Sequence, residues 1–288
     1  MVLPSVLFGL AFATGIGVAD VISAGLTRTL GVLRTVFLLQ AFGVVGMLVF
    51  ALFTSQLESI SANDLLLMAG LTVLVVFFYL GFYKALQLGP IALVGPIVAA
   101  HSPVVVVLAV IFLGERISEW QIAAIVAVVF GVVMASVDVP ALRSGRKVVG
   151  LGVGLAIGVS IAAGFWQFAI AAVSKEMGWF APVFLTRVFM VCILIPVVVI
   201  RREQPWVGLN RKLAAAIIVV AALETLSLLA FTRGSEIGIV SIVAAASTAY
   251  PVIPIIGGIV LFKERLSPIQ FGGLFVVSLG LLGLTLLP

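Results

Sequence analysis

The sequence predicts an all-α integral membrane protein with ten transmembrane helices, arranged as two inverted five-helix repeats. Three observations predict this fold. Of the 288 residues, 63% are hydrophobic and only 9% are charged, with a mean hydropathy of +1.38, whereas soluble domains carry roughly 25% charged residues. The apolar residues fall into ten runs of the length that a helix needs to cross a bilayer core, about 20 residues. Two long stretches of the chain also repeat one another.

The ten apolar runs are separated by short connections that hold most of the turn-forming and charged residues. The first run lacks the basic start and the cleavage pattern of a removable signal peptide, so we expect it to be the first span. We expect no domain outside the membrane, because every connection is short. The predicted spans are Leu3–Leu26, Val32–Phe53, Leu65–Gln87, Ile91–Leu113, Trp120–Val137, Val149–Ser174, Phe180–Ile200, Leu213–Thr232, Ile239–Phe262 and Ile269–Leu287.

The repeat is clearest between Phe82–Gly131 and Phe231–Gly280, which align after a shift of about 149 positions. The same shift places Glu115-Arg116-Ile117-Ser118 on Glu264-Arg265-Leu266-Ser267. Both motifs follow the end of a predicted helix. We expect these acidic and basic pairs to act locally, as caps and ion pairs that fix the loop and the start of the next helix.

The repeat extends to the first two helices of each half after a shift of 147 positions. This shift places Val36-Phe37-Leu38 on Val183-Phe184-Leu185 and Gln40 on Arg187. Since each repeat has an odd number of helices, the second copy enters the membrane from the opposite side, and the halves are inverted. The predicted units are residues 1–137, a basic connection over residues 138–148, and residues 149–288.

The sequence Gly114-Glu115-Arg116-Ile117-Ser118 after the fourth span, and its counterpart Lys263-Glu264-Arg265-Leu266-Ser267 after the ninth, resemble the EamA domain of the drug/metabolite transporter superfamily. The proline-bearing segments Ser102-Pro103 and Tyr250-Pro251 share the resemblance, which covers essentially the whole chain. It implies a ten-helix carrier of small metabolites, often an exporter of amino acids or related solutes. It also implies a central cavity lined largely by helices 1, 3, 4, 6, 8 and 9.

The loop charges predict an orientation in the membrane. One set of connections collects twelve Lys and Arg residues and the other set three. Since Lys and Arg favour cytoplasmic loops, the sequence predicts both termini outside the cell, whereas the resemblance implies both termini inside. The net charge of +5 is spread over short connections, which favours lipid headgroups and not nucleic acid as the partner. We expect a multi-pass protein of the plasma membrane.

Prolines interrupt the fourth and ninth spans at comparable places: Pro96 and Pro103 in one, Pro251 and Pro254 in the other. Each proline removes a backbone donor, which lipid tolerates where the freed groups face protein or a water-filled cavity. Matching interruptions in two repeats are typical of a transporter binding site. We therefore interpret these prolines as gating elements; a packing kink without a ligand is the alternative.

Three ionisable side chains, Asp20, Arg187 and Glu224, lie within predicted spans. A charge at the bilayer centre costs at least about 2.5–3.5 kcal/mol on insertion scales, so each needs a partner, water or neutralisation. Glu224 is predicted to titrate or to bind an amine, or else to form a structural ion pair with Arg187. Asp20 either lines a site or reaches the interface. For Arg187 and the equivalent Gln40 we favour a structural or gating role; anion binding by Arg187 is the alternative.

Aromatic and polar side chains recur on the spans that would line the cavity. Tyr79 and Tyr83 share one face of the third span, because they are four residues apart. His101 would titrate near neutral pH or be a hydrogen-bonded structural residue. The eight predicted substrate-binding residues are Asp20, Tyr79, Tyr83, His101, Trp166, Gln167, Glu224 and Tyr250.

The remaining chemistry of the chain argues against catalysis. A single cysteine, Cys192, and a single histidine exclude an internal disulfide and zinc chemistry. No motif of a hydrolase, metalloprotease or nucleotide-driven pump occurs. We therefore predict no enzyme, no metal and no cofactor.

The predicted function is a secondary transporter that exports or exchanges a small metabolite, such as an amino acid, by alternating access.

Several alternatives remain open from sequence. A lipid or lipid-linked carrier translocase is the main one, and a channel or an intramembrane enzyme has less support. The predicted partners are a small-molecule substrate and the lipid bilayer, with protons as a candidate coupling ion. A monomer and a homodimer are both compatible with a repeat that is complete within one chain.

Overall fold

The computed structural model describes residues 2–53, 60–88, 98, 101–136, 147–250, 252–253 and 268–286. Helices account for all the regular structure in these residues, and no strand occurs among them, which confirms the all-α prediction. A helix lies in each of the ten predicted apolar runs. The helices are α1 (Val2–Leu30), α2 (Val32–Leu52), α3 (Ala62–Leu88), α4 (Ser102–Leu113), α5 (Glu119–Ser136), α6 (Lys147–Met177), α7 (Ala181–Ile200), α8 (Arg211–Ile237), α9 (Val240–Ser247) and α10 (Pro268–Leu286).

Among the described residues, six helices are long and apolar enough to cross a membrane: α1, α2, α3, α6, α7 and α8. Residues 91–97 and 99–100 of the predicted fourth span, and residues 251 and 254–262 of the predicted ninth, lie outside the described residues. Pro96, Pro251 and Pro254 fall there, so their predicted gating role stays a prediction. The backbone of Pro103 forms part of the first turn of α4. The helix α6 begins at Lys147, inside the predicted basic connection, most of which is also outside the described part.

The two halves pack against each other through equivalent helices. α5 packs on α10, α2 on α7, and α4 on α9. The other contacts also come in matched sets: α1 packs on α8 as α6 packs on α3, and α1 packs on α9 as α6 packs on α4. Within the described part of the chain, the packing is therefore nearly unchanged when the halves are exchanged.

The contact between α5 and α10 brings backbone against backbone. A Cβ atom at Gly131 would lie 2.7 Å from the backbone nitrogen of Val277, and one at Gly280 would lie 2.9 Å from that of Val128. Gly131 is equivalent to Gly280, and Val128 to Val277, after the shift of 149 positions. Because position 131 faces 277 while 128 faces 280, the two helices run antiparallel.

The repeated motif after α4 caps two helices. The Glu115 carboxylate accepts hydrogen bonds from the backbone N–H groups of Val240 (2.7 Å) and Ser241 (2.9 Å), at the start of α9. Ser118 and Gln121 form a reciprocal capping box at the start of α5, with bonds of 3.1 and 3.2 Å. The expectation of a cap is therefore confirmed for this motif. The prediction that Glu115 acts locally was wrong, because its carboxylate caps a helix of the other half.

We expect Gly131→Ala to destabilise the protein by about 1–3 kcal/mol, because the added methyl group collides with backbone that cannot move aside. The measurement is thermal unfolding of the purified protein in detergent. Gly25→Ala is the matched control, since a Cβ atom at Gly25 meets nothing within 4 Å. An unchanged melting temperature for Gly131→Ala would contradict the close contact of α5 and α10.

Candidate functional site

A central cavity of about 60 Å³ lies between α1, α3, α6 and α8, beside the start of α4 and the residues that follow α9. All eight predicted substrate-binding side chains line it, although they come from distant parts of the chain. The eight are Asp20, Tyr79, Tyr83, His101, Trp166, Gln167, Glu224 and Tyr250. The structure therefore brings these residues together, and their role in binding stays a prediction.

Two glycines let helices of opposite halves meet beside the cavity. A Cβ atom at Gly164 of α6 would lie 2.9 Å from the carbonyl oxygen of His101, and one at Gly17 of α1 would lie 2.7 Å from that of Tyr250. Gly17 and Gly164 are equivalent after the shift of 147, and His101 and Tyr250 after the shift of 149. The cavity is thus framed by the same backbone contact, made once by each half.

The lining positions are equivalent while their side chains differ. The shift of 147 that relates α1 to α6 places Asp20 on Gln167 and Ile16 on Ala163, and all four line the cavity. Asp20 thus has a carboxylate where the equivalent residue Gln167 has a neutral amide. The frame of the site is nearly symmetric, and its chemistry is not.

Glu224 is held by two groups from other helices. The Tyr83 hydroxyl donates a hydrogen bond of 2.5 Å to Glu224 Oε1. Arg187 Nη2 lies 3.9 Å from Glu224 Oε2, and the two side chains are 1% and 2% exposed. The ion pair that sequence analysis gave as the alternative for Glu224 is therefore present, at a distance beyond hydrogen bonding.

Arg187 also binds its own counterpart in the other half. Its Nη1 donates a hydrogen bond of 2.9 Å to Gln40 Oε1. Further along the same helices, the ring of Phe50 in α2 lies 5.4 Å from that of Phe180, just before α7. Because position 40 faces 187 while 50 faces 180, α2 and α7 run antiparallel. Gln40 and Arg187 therefore lie where the two halves meet.

Several polar atoms in this region lack hydrogen-bond partners within the described part of the chain. They include Arg187 Nε and Nη2, Glu224 Oε2, Gln40 Nε2 and Gln167 Nε2. A buried polar atom without a partner costs about 1–3 kcal/mol, so a passive core rarely keeps several together. Several polar atoms without a partner among the described residues therefore lie close together beside the cavity.

His101 has a clear local contact. Its Nδ1 lies 2.7 Å from the carbonyl oxygen of Val98, and its backbone forms the N-terminal cap position of α4. This contact supports the structural interpretation of the residue, although the ring also lines the cavity. Among the described residues, no group of three His, Cys, Asp or Glu side chains is placed to hold a metal ion.

Sequence analysis missed the apolar part of the lining. Phe12, Phe78, Phe82 and Leu228 border the cavity, and the ring of Phe78 stacks on Trp166 at 6.1 Å. An apolar residue that faces a cavity resembles one that faces lipid, so composition carried no signal. The match of Phe82 with Phe231 in the repeat was the one available hint.

We expect Arg187→Met and Glu224→Gln each to lower stability by about 3–5 kcal/mol, since each leaves a buried group without its partner. The double variant should lose clearly less than the sum of the two. The measurement is a double-mutant cycle by unfolding in detergent. The half-exposed pair Arg233 and Glu236 is the matched control, with an expected coupling below about 1 kcal/mol. Additive losses at Arg187 and Glu224 would show that they do not interact.

Comparison with known proteins identifies the family. A model of the EamA-like transporter family matches the chain twice, over residues 3–137 and 150–286. A solved structure titled "Crystal structure of protein" superposes with a TM-score of 0.77 at 14% identity, covering 98% of this chain and 96% of that chain. The search of curated proteins found no match. The chain is thus a multi-pass integral membrane protein, and it belongs to the EamA-like transporter family of the drug/metabolite transporter superfamily.

Proposed function

We propose that this protein is a secondary transporter that moves a small metabolite by alternating access through the central cavity. One observation carries the proposal: a buried cavity with a mainly aromatic lining and a few polar groups lies at the junction of the two repeats and is lined by equivalent positions of both. Transporters built from repeats bind their substrates at such a junction, near the bilayer midplane. Export or exchange of an amino acid or a related solute is the activity that the family resemblance implies.

We also propose ten transmembrane helices in two inverted five-helix repeats. The antiparallel packing of α5 on α10 and of α2 on α7 supports inversion, because equivalent helices of parallel repeats would point the same way. The matched contacts between the halves support it as well. In this arrangement, a shift of one half against the other opens the cavity to one side and closes it to the other.

The energy source is either the solute gradient alone or exchange with protons at Glu224, Asp20 or His101. Glu224 and His101 each have a partner in the structure. We expect uptake that depends on a pH gradient to lose this dependence in Glu224→Gln or in Asp20→Asn, and the variant that loses it identifies the coupling residue. Uptake that depends on pH equally in both variants would exclude these two carboxylates.

One observation favours the alternative, a lipid or lipid-linked carrier translocase. A second cavity of about 570 Å³ lies between α2, α8 and the start of α7 and is almost entirely apolar. Outward-facing side chains such as Phe50, Ile218 and Leu226 border it. This groove suits an acyl or prenyl chain. It contains neither Asp20 nor Glu224, so the central cavity remains the better candidate for a polar solute.

The test of the proposed function is uptake of a panel of amino acids and small metabolites by proteoliposomes. We expect saturable uptake by the native protein and at least tenfold less by Ala163→Phe, because a phenyl ring at this buried lining position fills the cavity. Ala215→Phe is the matched control, because Ala215 lies on an exposed part of α8. Gel filtration and melting temperature check folding, and Ala163→Leu replaces a Phe variant that fails to fold.

Two results would contradict the proposal. Equal uptake by the native protein and by both cavity variants would place the pathway elsewhere. Absence of movement for every solute, together with flipping of labelled lipids in the same vesicles, would favour the lipid translocase.

A further inference from the structure

We propose that the transported solute is an organic monocation without a carboxylate, that is, a protonated amine or a quaternary ammonium compound. Its positive group would bind at Asp20, among the aromatic side chains of α3 and α6. This inference rests on the transporter function proposed above and names the substrate class of the same cavity. It departs from the amino acid that the family resemblance implies.

The first observation is the sign of the charges around the cavity. Two carboxylates line it, Asp20 and Glu224, and no Lys or Arg does so among the described residues. Among the described lining residues, the carboxylate of an amino acid would therefore meet no cationic partner. It would also be placed near two groups of its own charge, which is unfavourable in an apolar environment.

The second observation is that the two carboxylates differ in their partners. Glu224 accepts the Tyr83 hydrogen bond at 2.5 Å and lies 3.9 Å from Arg187. Asp20 is 7% exposed, and no described residue forms a hydrogen bond or an ion pair with its carboxylate. Asp20 is therefore the acidic group that is available to a ligand.

The balance of charge leads to the same conclusion. With Asp20 and Glu224 ionised and Arg187 protonated, the buried set carries one uncompensated negative charge. A monovalent cation bound at Asp20 brings the total to zero, whereas a zwitterion or a neutral solute leaves the excess in place. An uncompensated buried charge is costly unless the group takes up a proton, so a monocation would compete with a proton for Asp20.

The aromatic lining provides a second means of attraction. Seven of the fifteen lining residues are Phe, Tyr or Trp. Two stacked pairs border the cavity: Phe78 with Trp166, and Tyr79 with Tyr83, each with ring centroids 6.1 Å apart. Aromatic rings attract ammonium groups through the negative potential of their faces. Phenyl and phenol groups beside a free carboxylate are the lining that a cation requires.

The size of the cavity and a neutral donor in its lining refine the class. A volume of about 60 Å³ corresponds to roughly four water molecules, so the enclosed group is small, such as a methylated ammonium head. Gln167 Nε2 has no hydrogen-bond partner among the described residues. It would donate to a hydroxyl or carbonyl oxygen on the same solute.

Three probes of nearly equal shape test the inference: choline, its neutral carbon isostere 3,3-dimethylbutan-1-ol, and the zwitterion glycine betaine. Binding to the purified protein is measured by calorimetry and movement by proteoliposome uptake. We expect choline to bind at least tenfold more tightly than either of the other two probes, because only choline compensates the charge of Asp20. Asp20→Asn should lower choline affinity at least tenfold and leave the neutral isostere unchanged.

The controls separate charge at the site from charge elsewhere. Asp64→Asn removes the same group from the start of α3, outside the cavity, where Asp64 bonds to Ser61, and should not change choline binding. Asp20→Glu keeps the charge and should keep the preference for choline. If Asp20→Asn fails to fold, the preference of the native protein among the three probes still decides the question.

The outcomes distinguish the inference from the proposed function. Equal binding of the three probes, no binding of choline, or an unchanged affinity in Asp20→Asn would overturn the cation assignment. Uptake of neutral, zwitterionic or anionic solutes without any cation would also overturn it, while the transporter function would stand. Failure of every solute in the larger metabolite panel would instead contradict the transporter function itself.

Discussion

The hydrogen bond between Gln40 and Arg187 joins two residues that hold equivalent positions in the two halves. The same guanidinium faces Glu224, which in turn accepts a hydrogen bond from Tyr83 at the cavity. One continuous set of polar contacts thus connects the junction of the repeats with the candidate site. Because the surroundings are apolar, these groups cannot separate without leaving a charge unpaired. In the proposed mechanism, these contacts would link a movement of the halves to the site.

The tightness of the helix packing around these polar contacts differs from place to place. α5 and α10 meet backbone to backbone at Gly131 and Gly280, a contact that leaves little room for sliding. Around the cavity, by contrast, several polar atoms lack partners among the described residues and the enclosed space is small. The distribution of tight and incomplete packing is what a protein needs if its halves rock about a central site.

The cavity combines a symmetric frame with an asymmetric lining. The close backbone contacts at Gly17 and Gly164 are nearly the same in both halves, which supports access from either side of the membrane. The side chains break this symmetry, since Asp20 corresponds to Gln167 and His101 to Tyr250. If access alternates as proposed, a carboxylate on one side and neutral groups on the other would hold a solute in a single orientation.

The sequence by itself determined where the helices lie, that the chain is duplicated, and which polar residues deserved notice. The bilayer makes each of these visible, because it requires long apolar runs and leaves a buried Asp20 or Glu224 conspicuous. The sequence could not reveal Phe12 or Leu228 in the lining, since apolar residues look alike in a sequence whether they face lipid or a cavity. Only the tertiary structure decided that Glu115 caps α9, and that Glu224 has partners while Asp20 has none among the described residues. Such pairings depend on which helices, far apart in the chain, pack side by side.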